Sequence, residues 1–127
     1  MFILMVDDDL DDCGFFTEIV GEIDSSSTVV SVHDGIDALN YLEAQTVLPD
    51  IVFLDINMPR MNGKQLFLIM QKDERFQSIP VIIYSTSIPD REARYYQSYG
   101  ATTLVKPSTY QSLKEALSEI ILNEMKM

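Results

Sequence analysis

Four consecutive apolar residues, Ile51-Val52-Phe53-Leu54, run without polar interruption into a single carboxylate, Asp55. A strand with no polar alternation must be covered on both faces, and strands of that kind belong to parallel sheets packed between helices. The run breaks at Met58-Pro59, and Gly63 follows shortly after. Asp55 therefore sits at the carboxyl end of a buried strand, the edge where open α/β sheets receive their ligands. An Asp capping a loop would look the same in isolation, so its meaning depends on what the rest of the chain brings to that edge.

The rest of the chain repeats the pattern. Phe2 to Val6 is an apolar run closed by Asp7-Asp8-Asp9, and Thr28 to Val32 is a second strand followed by His33-Asp34-Gly35. Val81 to Tyr84 ends in Ser85-Thr86-Ser87, and Thr102 to Val105 ends in Lys106-Pro107. Between these runs lie helical stripes. Asp9 caps a helix from about Leu10 whose apolar face is Phe16, Ile19, Val20 and Ile23. Ala38, Leu39 and Leu42 mark a short second helix, and Lys64 to Lys72 a third with Leu66, Phe67, Ile69 and Met70. Pro89 suits the first turn of a fourth helix running to about Tyr99, which Gly100 stops. The last helix begins after Ser108 and carries Leu113, Leu117, Ile120 and Ile121. Five βα units with short, right-handed connections predict an α/β fold: a doubly wound, five-stranded parallel sheet in the flavodoxin-like order 2-1-3-4-5. Residues 1–127 are expected to form one domain, with no linker and no attached output domain.

Bulk properties remove several function classes. A formal charge of −11 argues against nucleic acid, because phosphate binding relies on clustered Lys and Arg. It leaves room for a cation or a basic partner surface. The lone cysteine, Cys13, rules out an internal disulfide and suits a reducing, cytoplasmic setting; among apolar neighbours it reads as packing. No apolar run approaches membrane-spanning length, and the first residues enter a strand directly, so neither a membrane span nor a signal peptide is expected.

In the expected strand order Asp7, Asp8, Asp55, Ser85 and Lys106 converge on one rim. Carboxylates gathered in a partly desolvated cleft repel one another and need a cation. Oxygen ligands without Cys or His favour a hard ion, and Mg²⁺ fits best. Asp8 and Asp55 would ligate it directly with the backbone carbonyl of Asn57, and Asp7 would act through water. Lys106 adds an ammonium and Ser85 a hydroxyl, so metal, ammonium and hydroxyl could each take one oxygen of a phosphoryl group. A carboxylate can itself be the nucleophile and form an acyl phosphate, and Asp55 is placed for that role. Helix capping and dipole matching account for Asp9, Asp11 and Asp12. His33, the only histidine, reads as a loop residue, and Tyr95, Tyr96, Tyr99 and Tyr110 as core or as aromatic interaction surface in comparable measure.

These pieces together resemble a response-regulator receiver domain of the CheY-like kind. Val6-Asp7-Asp8 follows the first strand, Asp55 lies within Leu54-Asp-Ile-Asn-Met-Pro59, and Gly63, Ser85 and Val105-Lys106-Pro107 complete the set. Asp55 stands 47 positions after Asp8, Ser85 30 after Asp55, and Lys106 51 after Asp55. The resemblance implies a phosphoacceptor switch in a two-component system or phosphorelay. Asp55 would take phosphoryl from a phosphohistidine on a histidine kinase or phosphotransfer protein, with Mg²⁺ held by Asp7 and Asp8. Ser85 and Lys106 would then pass the change to the face of helix four, strand five and helix five, for a protein target or homodimer. It also implies no enzymatic activity beyond self-catalysed phosphoryl transfer and hydrolysis. Two departures stand out: Thr103 occupies the place of the aromatic that family members usually carry three positions before the lysine, and the Gly100-to-Lys106 segment is one residue short. The place of Thr103 in a Ser85-coupled switch is therefore open. Thr86, where the family commonly has a small residue, offers a competing hydroxyl, although spacing favours Ser85.

Rival readings stay on the table. A Mg²⁺-dependent aspartyl-phosphate phosphohydrolase would want a second acid two residues after the nucleophile, where Asn57 stands. An FMN carrier would want a Ser-, Thr- and Gly-rich loop after the first strand, where three aspartates stand. A receiver-like adaptor that works without phosphate is compatible with Thr103.

Overall fold

The computed structural model describes residues 1–58 and 61–125; Pro59 of the motif above lies outside the described residues. Five strands alternate with five helices: β1 (Phe2–Val6), α1 (Leu10–Ile23), β2 (Thr28–Val32), α2 (Gly35–Ala44), β3 (Ile51–Leu54), α3 (Gly63–Lys72), β4 (Val81–Ser85), α4 (Asp90–Ser98), β5 (Thr102–Val105) and α5 (Tyr110–Met125). The strands form one parallel sheet in the order β2-β1-β3-β4-β5, as the repeat of five βα units requires.

Side-chain alternation along each central strand divides the core in two. Leu4 and Val6, Val52 and Leu54, and Val81 and Ile83 face one side, where Leu42 of α2, Leu66, Phe67 and Met70 of α3, and Tyr96 of α4 cover them. Ile3 and Met5, Ile51 and Phe53, and Ile82 and Tyr84 face the other side, under Phe16, Ile19 and Val20 of α1 and Leu117 and Ile121 of α5. Phe16, Phe53 and Tyr84 form an aromatic group there, with Phe16 and Phe53 edge to face at 4.8 Å between centroids. Burying side chains of this size contributes roughly 2–3 kcal/mol each before the entropy of ordering them is counted.

The helix starts follow local chemistry. The Asp9 carboxylate accepts from the Asp11 and Asp12 amides at the start of α1, Asp34 accepts from Asp37 at the start of α2, and Asn62 and Gln65 form a reciprocal capping box on α3. One start differs from expectation. Pro89 precedes α4 as its N-cap, with an extended ψ of 145°, and does not lie within the first turn; its carbonyl accepts the first helical bond, from Ala93.

Gly63 fixes the loop after Asp55 against α3. A Cβ there would run into the Asp55 carbonyl oxygen and come within 2.6 Å of the Ile56 Cα, both backbone atoms that cannot swing aside. Gly63→Ala is accordingly expected to destabilise the protein by about 1–3 kcal/mol, as overpacking does. Urea unfolding of the two proteins side by side checks this; an unchanged midpoint would show that the loop moves aside freely.

Candidate functional site

The sheet's hydrogen-bond ladder continues one residue past three strand ends, and that extension sets the site. The Asp7 amide donates to the Val32 carbonyl, the Asp55 amide to the Val6 carbonyl, and the Lys106 amide to the Ser85 carbonyl, at 3.0, 2.9 and 2.8 Å. Each functional residue thus starts from backbone held by a neighbouring strand. Asp7, Asp55 and Lys106 share the strand parity of Met5, Phe53 and Leu104, which belong to the α1–α5 side of the core. Ser85 shares the parity of Ile83 on the opposite side.

The side chains meet closely. Asp7, Asp8 and Asp55 each offer a carboxylate oxygen to a group whose atoms lie within 4.8 Å of one another; Asp7 and Asp55 are buried and Asp8 is exposed. Lys106 enters from the β5 end, its Nζ 2.6 Å from Asp7 Oδ2, 2.9 Å from Asp12 Oδ2 and 3.6 Å from Asp55 Oδ2. The same ammonium lies 5.1 Å from the centre of the Tyr84 ring. Asp7 uses its other oxygen to accept the Asp9 amide. Asn57 joins two parts of the site, its amide donating to Asp55 Oδ1 at 2.9 Å and its side-chain Nδ2 to Ser85 Oγ at 3.1 Å.

An all-oxygen set of three carboxylates, two buried and one open to solvent, fits a hard divalent ion. Asp7, Asp8 and Asp55 are the side chains that would hold it. A bound ion there would supply positive charge where four carboxylates, counting Asp12, face a single ammonium.

Electrostatics set the protonation states. Burial pushes the Asp55 carboxyl up from 3.8 to about 6, against the lowering effects of the Asn57 amide and Lys106. Burial works against the Lys106 charge, but hydrogen bonds to Asp12 and Asp7 outweigh it and hold the ammonium above its ordinary value. Burial likewise raises the Cys13 thiol, which packs 3.6 Å from the Asp7 carbonyl oxygen in keeping with a structural role.

Several residues sit differently from their sequence-based roles. Asp12, read as a dipole-matching residue of the first helical turn, also pairs with Lys106; only the approach of α1 to the β5 end makes that contact. His33 is a loop residue as expected, yet its Nδ1 donates to the Asp7 carbonyl at 3.0 Å. Ser85 is buried and tied to Asn57, whereas Thr86 is exposed. Thr103 pairs in register with Ile83, two rungs below Ser85, and its hydroxyl accepts from Gln97 of α4 at 2.9 Å. The four tyrosines divide. Tyr96 is core against Phe67, Tyr95 is half-buried and Tyr99 half-exposed on the same helix, and Tyr110 departs from the group by lying beside Glu22 of α1, which pushes its phenol up.

A doubly wound parallel sheet with acidic β1 and β3 ends and a lysine after β5 defines a class, and comparison with known proteins agrees. The response regulator receiver domain profile matches residues 3–118, and the chain belongs to that family. It is 35% identical over 95 residues to chemotaxis protein CheY1 of Helicobacter pylori, covering 74% of this chain and 75% of that protein. It is 32% identical over 94 residues to the probable methanogenesis regulatory protein FilR2 of Methanothrix harundinacea, a match that covers 70% of this chain but only 61% of that relative's length. Among solved structures it superposes on the phosphorylated cyanobacterial phytochrome response regulator RcpA with a TM-score of 0.85 at 26% identity, covering 94% of this chain and 89% of that one. The protein therefore carries a receiver domain of two-component signalling.

The raised Asp55 carboxyl has a consequence for stability. Below 3.8 the group is protonated whether the chain is folded or not; as pH rises through about 6 the folded protein must ionise it in a desolvated place, and stability is lost. Asp55→Asn avoids that cost. In metal-free buffer at pH 7.5 the variant is expected to be about 1–3 kcal/mol more stable than the parent, with the gap closing below about pH 4. Thermal melts across that range check it, and a gap independent of pH would refute the desolvated carboxylate.

Proposed function

We propose that the protein is a phosphoacceptor switch in which Asp55 takes a phosphoryl group from a phosphohistidine of a histidine kinase or phosphotransfer partner. The observation that carries this is the convergence of Asp7, Asp8, Asp55 and Lys106 at one rim of the sheet. In the transfer an Asp55 carboxylate oxygen forms a bond to phosphorus while the phosphorus–nitrogen bond breaks. The electron pair leaves with the imidazole, and an acyl phosphate remains on Asp55. Lys106 donates to one phosphoryl oxygen and Ser85 to another, and the Asn57 side chain holds the Ser85 hydroxyl in place. Asp8, Asp55 and the Asn57 backbone carbonyl are the proposed Mg²⁺ ligands, with Asp7 acting through water; the ion supplies charge neutralisation for the incoming phosphate.

The response passes to the face formed by α4, β5 and α5, where Val105 is exposed and a downstream protein or a second copy can dock. The chain works in the cytoplasm and binds neither nucleic acid nor membrane on this reading; no described helix is long and apolar enough to cross a bilayer. It has no catalytic activity beyond its own phosphorylation and dephosphorylation. A second reading, an adaptor that does not need phosphate, draws on Thr103, whose small side chain is tied to α4 by Gln97.

Incubation with Mg²⁺ and acetyl phosphate or a phosphorylated donor is expected to give acid-labile phosphate on the parent protein and none on Asp55→Asn. Uptake by Asp55→Asn equal to the parent's would move the site elsewhere. Asp8→Ala is expected to lose the Mg²⁺-dependent part of the uptake, and retention of the parent's metal dependence would remove Asp8 from the ligand set. NMR shifts on adding beryllofluoride and Mg²⁺ separate the two readings: changes spreading to α4, β5 and α5 support the switch, and changes confined to the rim support the adaptor.

A further inference from the structure

We infer that Asp12, on the first turn of α1, is a positioning residue for Lys106, which rests on the phosphoacceptor reading of Asp55 and deepens it. The ammonium of a lysine has three donors on a flexible four-carbon stem, and it loses roughly 2 kcal/mol of rotamer freedom when fixed. Here two of those donors are bonded, to Asp7 Oδ2 at 2.6 Å and Asp12 Oδ2 at 2.9 Å. The third remains for the side on which Asp55 Oδ2 lies, at 3.6 Å, beyond hydrogen-bond length but within ion-pair reach. Two anchors fix the direction of the third donor, as two legs fix a tripod, and that direction is where an oxygen of a phosphoryl group on Asp55 would stand.

The two anchors are not equivalent. Asp7 is fully buried, and its carboxylate belongs to the acidic group suited to a divalent ion, so its charge serves two cations. Asp12 lies outside that group, and its side chain is 36% exposed. Its hold on Lys106 is therefore independent of the metal site. The Asp12 amide is fixed by the Asp9 cap, which sets where the side chain begins, and the Tyr84 ring at 5.1 Å closes the ammonium in from the sheet side. Asp12 also joins α1 to the residue after β5, so the lysine that engages the phosphoryl group is oriented from a different element than the one that carries it.

The test uses Asp12→Ala and Asp12→Glu in the full chain, with far-UV circular dichroism to establish that both fold. In the unloaded, metal-free protein, the Lys106 ammonium is expected to give a proton signal protected from solvent exchange by NMR. That signal is expected to vanish in Asp12→Ala and return in Asp12→Glu. With acetyl phosphate, the maximal rate of phosphoryl uptake at saturating Mg²⁺ is expected to fall about tenfold in Asp12→Ala, which corresponds to 1.4 kcal/mol. The Mg²⁺ concentration for half-maximal rate should stay the same, and Asp12→Glu should recover most of the rate. A parent protein that takes up no phosphoryl group overturns the phosphoacceptor reading, and this inference with it. A parent that loads normally beside an Asp12→Ala protein of equal rate overturns the positioning role alone. So does a loss that appears in the half-maximal Mg²⁺ concentration and leaves the maximal rate intact, or a loss that Asp12→Glu fails to reverse.

Discussion

One ammonium among four carboxylates is the interaction on which the rim depends. Lys106 lies within 4.0 Å of Asp7, Asp12 and Asp55, in a place where its own side chain is 9% exposed. Attraction at these distances is strong because water is largely excluded, and the same exclusion makes each unpaired carboxylate costly. Lys106 cannot neutralise all of them. Burial leaves the Asp55 carboxyl raised to about 6, with the neighbouring Asp7 adding to the rise and Lys106 only partly opposing it. A site in that condition favours the arrival of a cation, and with it an anion that brings its own negative charge becomes tolerable.

The fold is what makes so crowded a rim affordable. Parallel strands bring their carboxyl ends to one edge, and the ladder reaches past β1, β3 and β5 to hold the backbone of Asp7, Asp55 and Lys106. Alternation along the strands then sends Asp7, Asp55 and Lys106 toward the side of α1 and α5 and sends Ser85 toward the other. Asn57 crosses between them, bonding Asp55 with its amide and Ser85 with its side chain. Gly63 lets α3 begin directly beneath that crossing, since any side chain would strike the Asp55 carbonyl.

The Ser85–Thr103 half of the site departs more from the family pattern than the acidic half. Thr103 occupies a position facing α4 and binds Gln97, so the link between β5 and α4 is a hydrogen bond between small and amide side chains. Ser85 lies two rungs away in the ladder and is bonded to Asn57. The acidic half is tied into the sheet by backbone bonds that any sequence with this fold would make, whereas the β5–α4 link depends on which two side chains happen to meet there.

Most of the architecture was legible in the order of residues, because strand burial and helix periodicity are local patterns. Uninterrupted runs such as Ile51–Leu54, bounded by turn residues, read as strands covered on both faces, the stripe Phe16-Ile19-Val20 reads as a core-facing helix side, and their alternation points to a doubly wound sheet. The acidic strand ends and Lys106 could be assigned to one edge from that order alone. What the tertiary structure decided are the contacts between residues far apart in the chain whose side chains have several rotamers: that Lys106 bonds Asp7 and Asp12 more closely than Asp55, that Asn57 reaches Ser85, that His33 reaches the Asp7 carbonyl, and that Tyr110 turns toward α1. A sequence fixes which strand end a residue occupies through backbone geometry, but the partner a long side chain selects depends on the distance between elements, and that distance exists only once they have packed.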